Sequence, residues 1–171
     1  QMVLDVCPPI PAEKKVLEIA GERTHKWAIR GRNHFLSREK SFENERAQFG
    51  IVQGGLDPKL RQISAEQIVE IGFDGYAIGG LSVGETRQEM IEPMQISADA
   101  LPKQQPRYFM GLGDPAGLVE AIACGVDMFD CVWPTRLARH GTALTMQGRV
   151  NLGAARYAKS DDAIDPDFNI S

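Results

Sequence analysis

The sequence predicts an α/β fold, a TIM (β/α)8 barrel to which this chain contributes about five consecutive βα units and a C-terminal β-hairpin. Short apolar runs alternate with longer segments of helical character, and successive βαβ units require a parallel sheet with right-handed crossovers. A polar residue or a glycine also closes each apolar run, as at the active-site face of a barrel. The alternative, an open nucleotide-binding sheet, lacks its GxGxxG or GxxxxGK[ST] loop.

The predicted elements follow in chain order. Strands are expected at residues 2–4, 49–52, 75–78, 107–110 and 126–129. Helices are expected at residues 13–35, 58–71, 86–101 and 115–123, two of them entered through the Asp-Pro pairs at 57–58 and 114–115. Residues 142–146 and 149–152 form the hairpin. We assign residues 1–157 to a partial barrel domain and residues 158–171 to a loop.

Composition indicates an ordinary globular protein, with 43% hydrophobic and 25% charged residues. No apolar run approaches the roughly 18 residues of a membrane span, so no membrane partner is expected. The net charge of −4 argues against a strongly basic nucleic-acid binder but leaves room for a local basic patch. Three cysteines without CxxC spacing favour a reducing, cytoplasmic setting. Because Gln1 opens directly into an apolar run, we expect further sequence upstream.

Asp5 and Asp130 are the most suggestive residues for chemistry. Each ends an apolar strand, where a carboxylate is costly to bury unless it is used or paired. Two carboxylates facing one pocket can divide nucleophilic and proton-transfer work at a glycosidic carbon. Either residue could instead cap the following turn or helix, and spacing alone favours that alternative.

Other strand ends carry residues suited to a flat ligand. Gly79 and Gly80 allow close approach of the backbone and free N–H donors, or they simply form a tight turn. Gln53 could bind an amide-like base edge or satisfy nearby backbone. Met110 offers a polarisable face for stacking, although methionine is more often core.

Basic residues follow Asp130 closely. Arg136, Arg139 and His140 would suit a phosphate-bearing substrate, or they form a solvated surface cluster. Two other histidines, His25 and His34, have no partner at ligand spacing, so no metal site is expected within the chain.

Four long strings resemble one family. FGIVQGGL, IGFDGYAIGGLSVGE, YFMGLGDP and GVDMFDCVWPTRLARHG have the order and type found in bacterial tRNA-guanine transglycosylases, from about residue 5 to residue 156. The resemblance implies a TIM barrel with a zinc-binding subdomain, towards which residues 158–171 would lead. Zinc is therefore expected in the full-length family and not within residues 1–171. The implied reaction replaces the wobble guanine of certain tRNAs by a 7-deazaguanine, preQ1 in bacteria, during queuosine biosynthesis.

The resemblance implies a role for each strand-end residue. Asp130 in FDC resembles the nucleophile that displaces guanine and holds the tRNA as a covalent glycosyl ester. Asp5 in LDVC resembles the aspartate that accepts hydrogen bonds from the guanine edge. Gln53 and the Gly80 amide, beside Gly79, would donate to the base carbonyl.

The loop after the third predicted strand would complete the base pocket. Leu81 and Ser82 would span the peptide that meets the aminomethyl group of preQ1, with Glu85 supporting it. Met110 would lie against one face of the base, and Tyr76 would flank the pocket.

The partners implied are a tRNA anticodon loop, guanine or preQ1, and a second copy of the full-length protein in a homodimer. Arg136 and Arg139 resemble residues that hold the anticodon loop, as RNA enzymes do with splayed single-stranded bases.

The chain departs from the family pattern in several places. It has LDVC where the family usually has FDEC, and Trp133 replaces a smaller aliphatic residue. The family's general acid/base aspartate lies in an upstream DSGG-type motif, and its zinc ligands follow in a CxCxxC pattern; neither string occurs here. We therefore expect the chain by itself to be inactive. The alternative is a non-catalytic tRNA-binding or subunit role, against which the retained nucleophile and base pocket argue.

Overall fold

A four-stranded parallel sheet organises the first part of the chain. The computed structural model describes residues 1–38 and 46–165, so the last residues of the predicted C-terminal loop, including Pro166, lie outside the described residues. The sheet has the order β1-β2-β3-β4, with every neighbouring pair parallel. Its strands are β1 (Phe49–Val52), β2 (Gly75–Ile78), β3 (Arg107–Phe109) and β4 (Met128–Phe129). The predicted α/β fold with a parallel sheet is confirmed.

Helices connect the strands, as the alternation of patterns predicts. They are α1 (Lys14–Ser37), α2 (Pro58–Ile71), α3 (Arg87–Ala100) and α4 (Pro115–Ala123). The Asp57 side chain accepts hydrogen bonds from Lys59 N and Leu60 N, both at 3.0 Å, and Asp114 caps α4 in the same manner. Both predicted Asp-Pro helix starts are therefore confirmed. No described helix is long and apolar enough to cross a membrane.

The core lies between the sheet and the helices. All four residues of β2 are buried, as expected for a strand with neighbours on both edges and covered faces. Ile51, Ile68, Met94 and Phe109 are almost completely inaccessible within the same cluster. This packing fixes where each strand ends, and hence where the residues after the strands lie.

The first and last predicted strands are shorter than the sequence suggests. Residues 2–4 make one parallel bridge, between Met2 and Phe49. Of residues 126–129, only the last two pair with β3, because Val126 N still donates to Ala121 O at the end of α4.

The chain separates into two compact units, Gln1–Asp130 and Cys131–Ser171. The second contains α5 (Trp133–Arg139), an antiparallel hairpin of β5 (Thr142–Thr145) and β6 (Gly148–Asn151), and a short 3₁₀ helix, Ala155–Tyr157. The hairpin is confirmed, whereas sequence patterning missed α5. The assignment of residues 1–157 to one barrel domain stays a prediction.

Gly50 in β1 tests how tightly the sheet packs on its helices. A Cβ at this position would lie 2.5 Å from Ile68 Cγ2 and 2.6 Å from Phe73 Cδ2. We predict that Gly50→Ala lowers the free energy of unfolding by about 1–3 kcal/mol through overpacking. Urea denaturation measures the change. Gly21→Ala is the control, because no atom lies within 4 Å of its added Cβ and alanine favours a helix interior; equal effects of the two substitutions would contradict the prediction.

Candidate active site

A cleft of about 310 Å³ lies at the carboxyl ends of the parallel strands in the first unit. This is the edge at which α/β proteins place their ligands, because loops from several strands meet there. The residues lining it are Asp5, Cys7, Gly79, Gly80, Leu81, Ser82, Val83, Tyr108, Met110, Gly111 and Asp130. The structure therefore brings together most of the strand-end residues that the sequence singles out.

Asp130 directly follows β4 and is exposed to the cleft. Its Oδ1 accepts hydrogen bonds from the Tyr108 hydroxyl at 2.5 Å and from Gly111 N at 2.8 Å. Gly111 has φ +81°, a conformation that suits glycine and turns its N–H towards the carboxylate. Both hydrogen bonds use the same oxygen, so within the described residues Oδ2 is the oxygen left for a ligand.

The surroundings of the Tyr108 phenol, including its contact with Asp130, change its pKa. Burial raises the pKa of Tyr108 to about 12, and the hydrogen bond to Asp130 and the charge of that carboxylate add to the rise. Tyr108 therefore stays a neutral hydrogen-bond donor across the physiological pH range.

Asp5 is held from behind the cleft by Gln53, which directly follows β1. Gln53 Nε2 donates to Asp5 Oδ2 at 2.5 Å, and Gln53 N donates to Ser64 Oγ at 2.9 Å. The Gln53 side chain is buried, and its Oε1 has no hydrogen-bond partner among the described residues. The resemblance implies that Gln53 donates to a base carbonyl, but here that donor is directed to Asp5.

The loop after β2 is anchored by Arg61 of α2, which is fully buried. Its Nη1 donates to Gly79 O at 2.6 Å and its Nη2 to Gly80 O at 2.9 Å, while Nε donates to Gly55 O at 2.8 Å. Burial lowers the pKa of Arg61 to about 9, and the charge of Glu85 opposes this. One guanidinium thus connects the loop after β1 with the loop after β2.

Glu85 holds the next turn of the same loop. Its carboxylate accepts from Ser82 N and, at 3.0 Å, from Val83 N. Ser82 has φ +60°, which is unusual for a residue with a side chain, and its hydroxyl donates to Gly111 O at 3.3 Å. This strained backbone persists because Glu85 and Gly111 fix it from two sides.

Cys7 lies beside these groups at the cleft wall. Burial raises the pKa of the Cys7 thiol and the charge of Asp5 adds to the rise, whereas the Gly80 N–H, Gln53 and Arg61 oppose it. The thiol is therefore kept in its neutral form, unlike an activated nucleophile.

The chain matches a family model described as queuine tRNA-ribosyltransferase over residues 1–170. The chain belongs to this family. It is 52% identical over 164 residues to the queuine tRNA-ribosyltransferase of Thermotoga neapolitana and 49% identical over 164 residues to that of Thermotoga maritima. Each alignment covers 96% of this chain and 43% of the relative. A relative from Hamiltonella defensa is 43% identical over 166 residues, covering 97% of the chain and 44% of its own length. The chain thus spans less than half the length of these curated queuine tRNA-ribosyltransferases.

Tyr76, which the resemblance places beside the pocket, is buried and is not among the residues that line this cleft. Tyr76 is the second residue of β2, and its hydroxyl accepts from Phe73 N near the amino end of the strand, away from the cleft. Tyr108 lines the cleft of this family member instead. Its signal was present in the sequence, because Tyr108 and Met110 are two residues apart in a strand-like run and so share a face.

Arg136 and Arg139 lie on α5 in the second unit, and both are exposed. Exposure leaves them accessible to an anion, so their proposed RNA contact stays a prediction. Arg61, by contrast, was not singled out in the sequence, where DPKLRQIS has the pattern of an ordinary helix start.

The zinc ion expected for the full-length family has no matching cluster of ligands among the described residues. Across residues 1–38 and 46–165, no group of three or more His, Cys, Asp or Glu side chains could hold a metal ion. We accordingly assign no step to a metal.

The pairing of Tyr108 with Asp130 predicts a shift in titration. Asp130→Asn removes the charge and weakens the hydrogen bond, so the pKa of Tyr108 falls below about 12 but stays above its ordinary value of 10.0 because burial remains. The ¹³Cζ chemical shift of Tyr108, followed by NMR against pH, measures it. Asp127→Asn is the control, since Asp127 accepts from Arg107 N and does not contact Tyr108. An unchanged Tyr108 titration in Asp130→Asn would contradict the pairing.

Proposed function

We propose that this chain carries the nucleophile and the base pocket of a tRNA-guanine transglycosylase built on a TIM barrel. The observation that supports this most is the state of Asp130. One carboxylate oxygen is fixed by Tyr108 and Gly111, and the other is free at a cleft that Asp5 also lines. A carboxylate held in this way suits attack on a sugar carbon bonded to a planar base.

The proposed reaction is a double displacement. Asp130 Oδ2 bonds to the ribose C1′ of the tRNA and the bond from C1′ to the guanine nitrogen breaks. Guanine departs with the electron pair and takes a proton from the upstream general acid/base aspartate that the resemblance implies. The incoming base then bonds to C1′ through the matching nitrogen, releases a proton, and displaces Asp130. Tyr108 and Gly111 stabilise the carboxylate when it becomes the leaving group, because both donate to Oδ1, the oxygen that does not bond to C1′.

Recognition of the base edge falls to Asp5 and the backbone after β2. Asp5 Oδ2 is committed to Gln53, so Oδ1 is the oxygen that accepts from the N–H groups of guanine. Backbone N–H groups at Gly80 and Leu81 would donate to the base carbonyl. Met110 lines the cleft and would pack on the base face.

The preference for preQ1 over guanine follows from the Leu81–Ser82 peptide. Since Ser82 N donates to Glu85, the trans geometry of this peptide directs the Leu81 carbonyl away from Glu85. A carbonyl oxygen on the cleft side accepts a hydrogen bond from an ammonium group, as carried by the aminomethyl substituent of preQ1. Guanine has no such group.

The remaining partner is a tRNA anticodon loop. Arg136 and Arg139 would contact its phosphates, since both are exposed and carry a positive charge. The full-length protein would add zinc and a homodimer partner, as the resemblance implies.

Asp130→Asn tests the proposed nucleophile. In a chain extended to the length of its relatives, we expect the substitution to abolish the covalent tRNA adduct and the exchange of labelled guanine, because an amide cannot form the ester. Denaturing gel electrophoresis with labelled tRNA detects the adduct. The control is Asp162→Asn, an exposed residue of the second unit. An adduct that persists in Asp130→Asn would overturn the assignment, and tRNA binding without any adduct in the unsubstituted protein would favour the non-catalytic alternative.

Glu85→Gln tests the selection of preQ1. A glutamine side chain offers one acceptor oxygen where the carboxylate offers two, so it cannot hold the Ser82 and Val83 N–H groups together, and the orientation of the Leu81 carbonyl is less tightly fixed. We expect the KM for preQ1 to rise by about tenfold, the scale of one charge-assisted hydrogen bond, with a smaller change for guanine. Competition between labelled guanine and preQ1 measures the ratio.

Glu89→Gln is the matched control for that experiment. Glu89 is a capping-box residue of α3 outside the cleft, and glutamine also serves in a capping box. Equal rises in KM for the two bases in Glu85→Gln would count against the proposed selection.

A further inference from the structure

The buried position of Arg61 lowers the stability of the fold. Arg61 is fully buried near the beginning of α2, where the positive end of the helix dipole disfavours a cation. No carboxylate among the described residues forms a salt bridge with it. A buried charge without a paired carboxylate is retained at a cost in stability, and such costs are typical of residues needed for a site.

The guanidinium donors go to backbone carbonyls at the cleft. Two of them bind the consecutive carbonyls of Gly79 and Gly80, and another binds Gly55 O in the loop after β1. A planar fork with several fixed donors can hold two neighbouring peptide oxygens at once, which a lysine ammonium does less well. The side chain thereby sets the orientation of two peptide planes.

The orientation of a carbonyl determines the orientation of the N–H group in the same peptide unit. In a trans peptide the C=O and N–H bonds point in opposite directions, and both peptides here are trans. Because the Gly79 and Gly80 carbonyls point at Arg61, the N–H groups of Gly80 and Leu81 point away from it. Gly80 and Leu81 both line the cleft.

Glycine is required at position 80 for the same arrangement. Gly80 has φ +68°, and a Cβ there would collide with Gln53 Oε1. The backbone at this point is therefore packed between Gln53 and Arg61, with no side chain between its N–H and the cleft.

We infer that Arg61 is a positioning residue: its guanidinium fixes the backbone of residues 79–81 so that the Gly80 and Leu81 N–H groups receive the carbonyl oxygen of a purine base. The inference rests on the proposed function, since it names the atoms that bind the base. Arg61 itself does not touch the substrate. It acts through the peptide planes that it holds.

Guanine binding to the chain extended to the length of its relatives, measured by isothermal titration calorimetry, tests the inference. We expect Arg61→Met to weaken guanine binding by at least about tenfold, as for the loss of well-oriented hydrogen bonds in a buried site. Arg61→Lys should give a smaller loss, and it provides the test if the Met variant does not melt cooperatively. Arg107→Met is the matched control. Arg107 is also buried and donates to backbone carbonyls, those of Leu101 and Gly125, but at the amino end of β3.

A second ligand separates positioning from general structural support. In 6-thioguanine a sulfur, a weaker acceptor, replaces the carbonyl oxygen while the ring N–H donors remain. We expect the unsubstituted chain and Arg107→Met to prefer guanine, and the Arg61 variants to lose most of that preference.

Several results of these titrations would overturn the inference. Guanine affinity unchanged in the Arg61 variants, or an equal weakening of both bases, would overturn the inference while leaving the proposed function intact. Loss of the preference in Arg107→Met as well would also overturn it. Absence of guanine binding by the unsubstituted chain would overturn the proposed base pocket and the inference with it.

Discussion

The buried guanidinium of Arg61 is the constraint on which the site geometry depends. It is attached to α2, yet its hydrogen bonds end on the loops that follow β1 and β2. Helix, sheet and cleft floor are therefore coupled through one side chain. Its lowered pKa, about 9, records the desolvation that this coupling requires. Hydrophobic packing places the strand ends at one edge, and Arg61 then sets the direction of the backbone donors there.

Two carboxylates in one cleft are kept distinct by different neighbours. Asp5 accepts from the buried side-chain amide of Gln53, whose backbone N–H donates to Ser64 of α2. Asp130 is bonded to a phenol and a backbone N–H through a single oxygen. The first arrangement suits a fixed acceptor for a base edge, and the second suits a carboxylate that must form and break a bond. The proposed division of labour rests on this difference in hydrogen bonding.

Much of this could be predicted from sequence because strand ends are marked locally. An apolar run followed by a polar residue identifies Asp5, Gln53 and Asp130, and the Asp-Pro pairs identify two helix starts. The burial of Arg61 could not be predicted, since its partners at Gly79 and Gly80 lie about 20 residues further along the chain and the segment around it has the pattern of a solvated helix start. The part played by Tyr108 could not be predicted either, because its partner Asp130 lies 22 residues further along the chain.

In the proposed site, the loop after β2 would contact the base through main-chain atoms, since the Leu81 side chain is almost completely buried. The ligand preference of the loop would then depend on its backbone conformation and not on the chemistry of its own side chains. Exchange of Leu81 for another apolar residue would alter packing and leave the hydrogen-bonding pattern in place. Under the proposed function, side chains of this loop could be substituted in related sequences without changing the ligand that is bound. The condition is that Arg61 and Glu85, which hold its peptide groups, are retained.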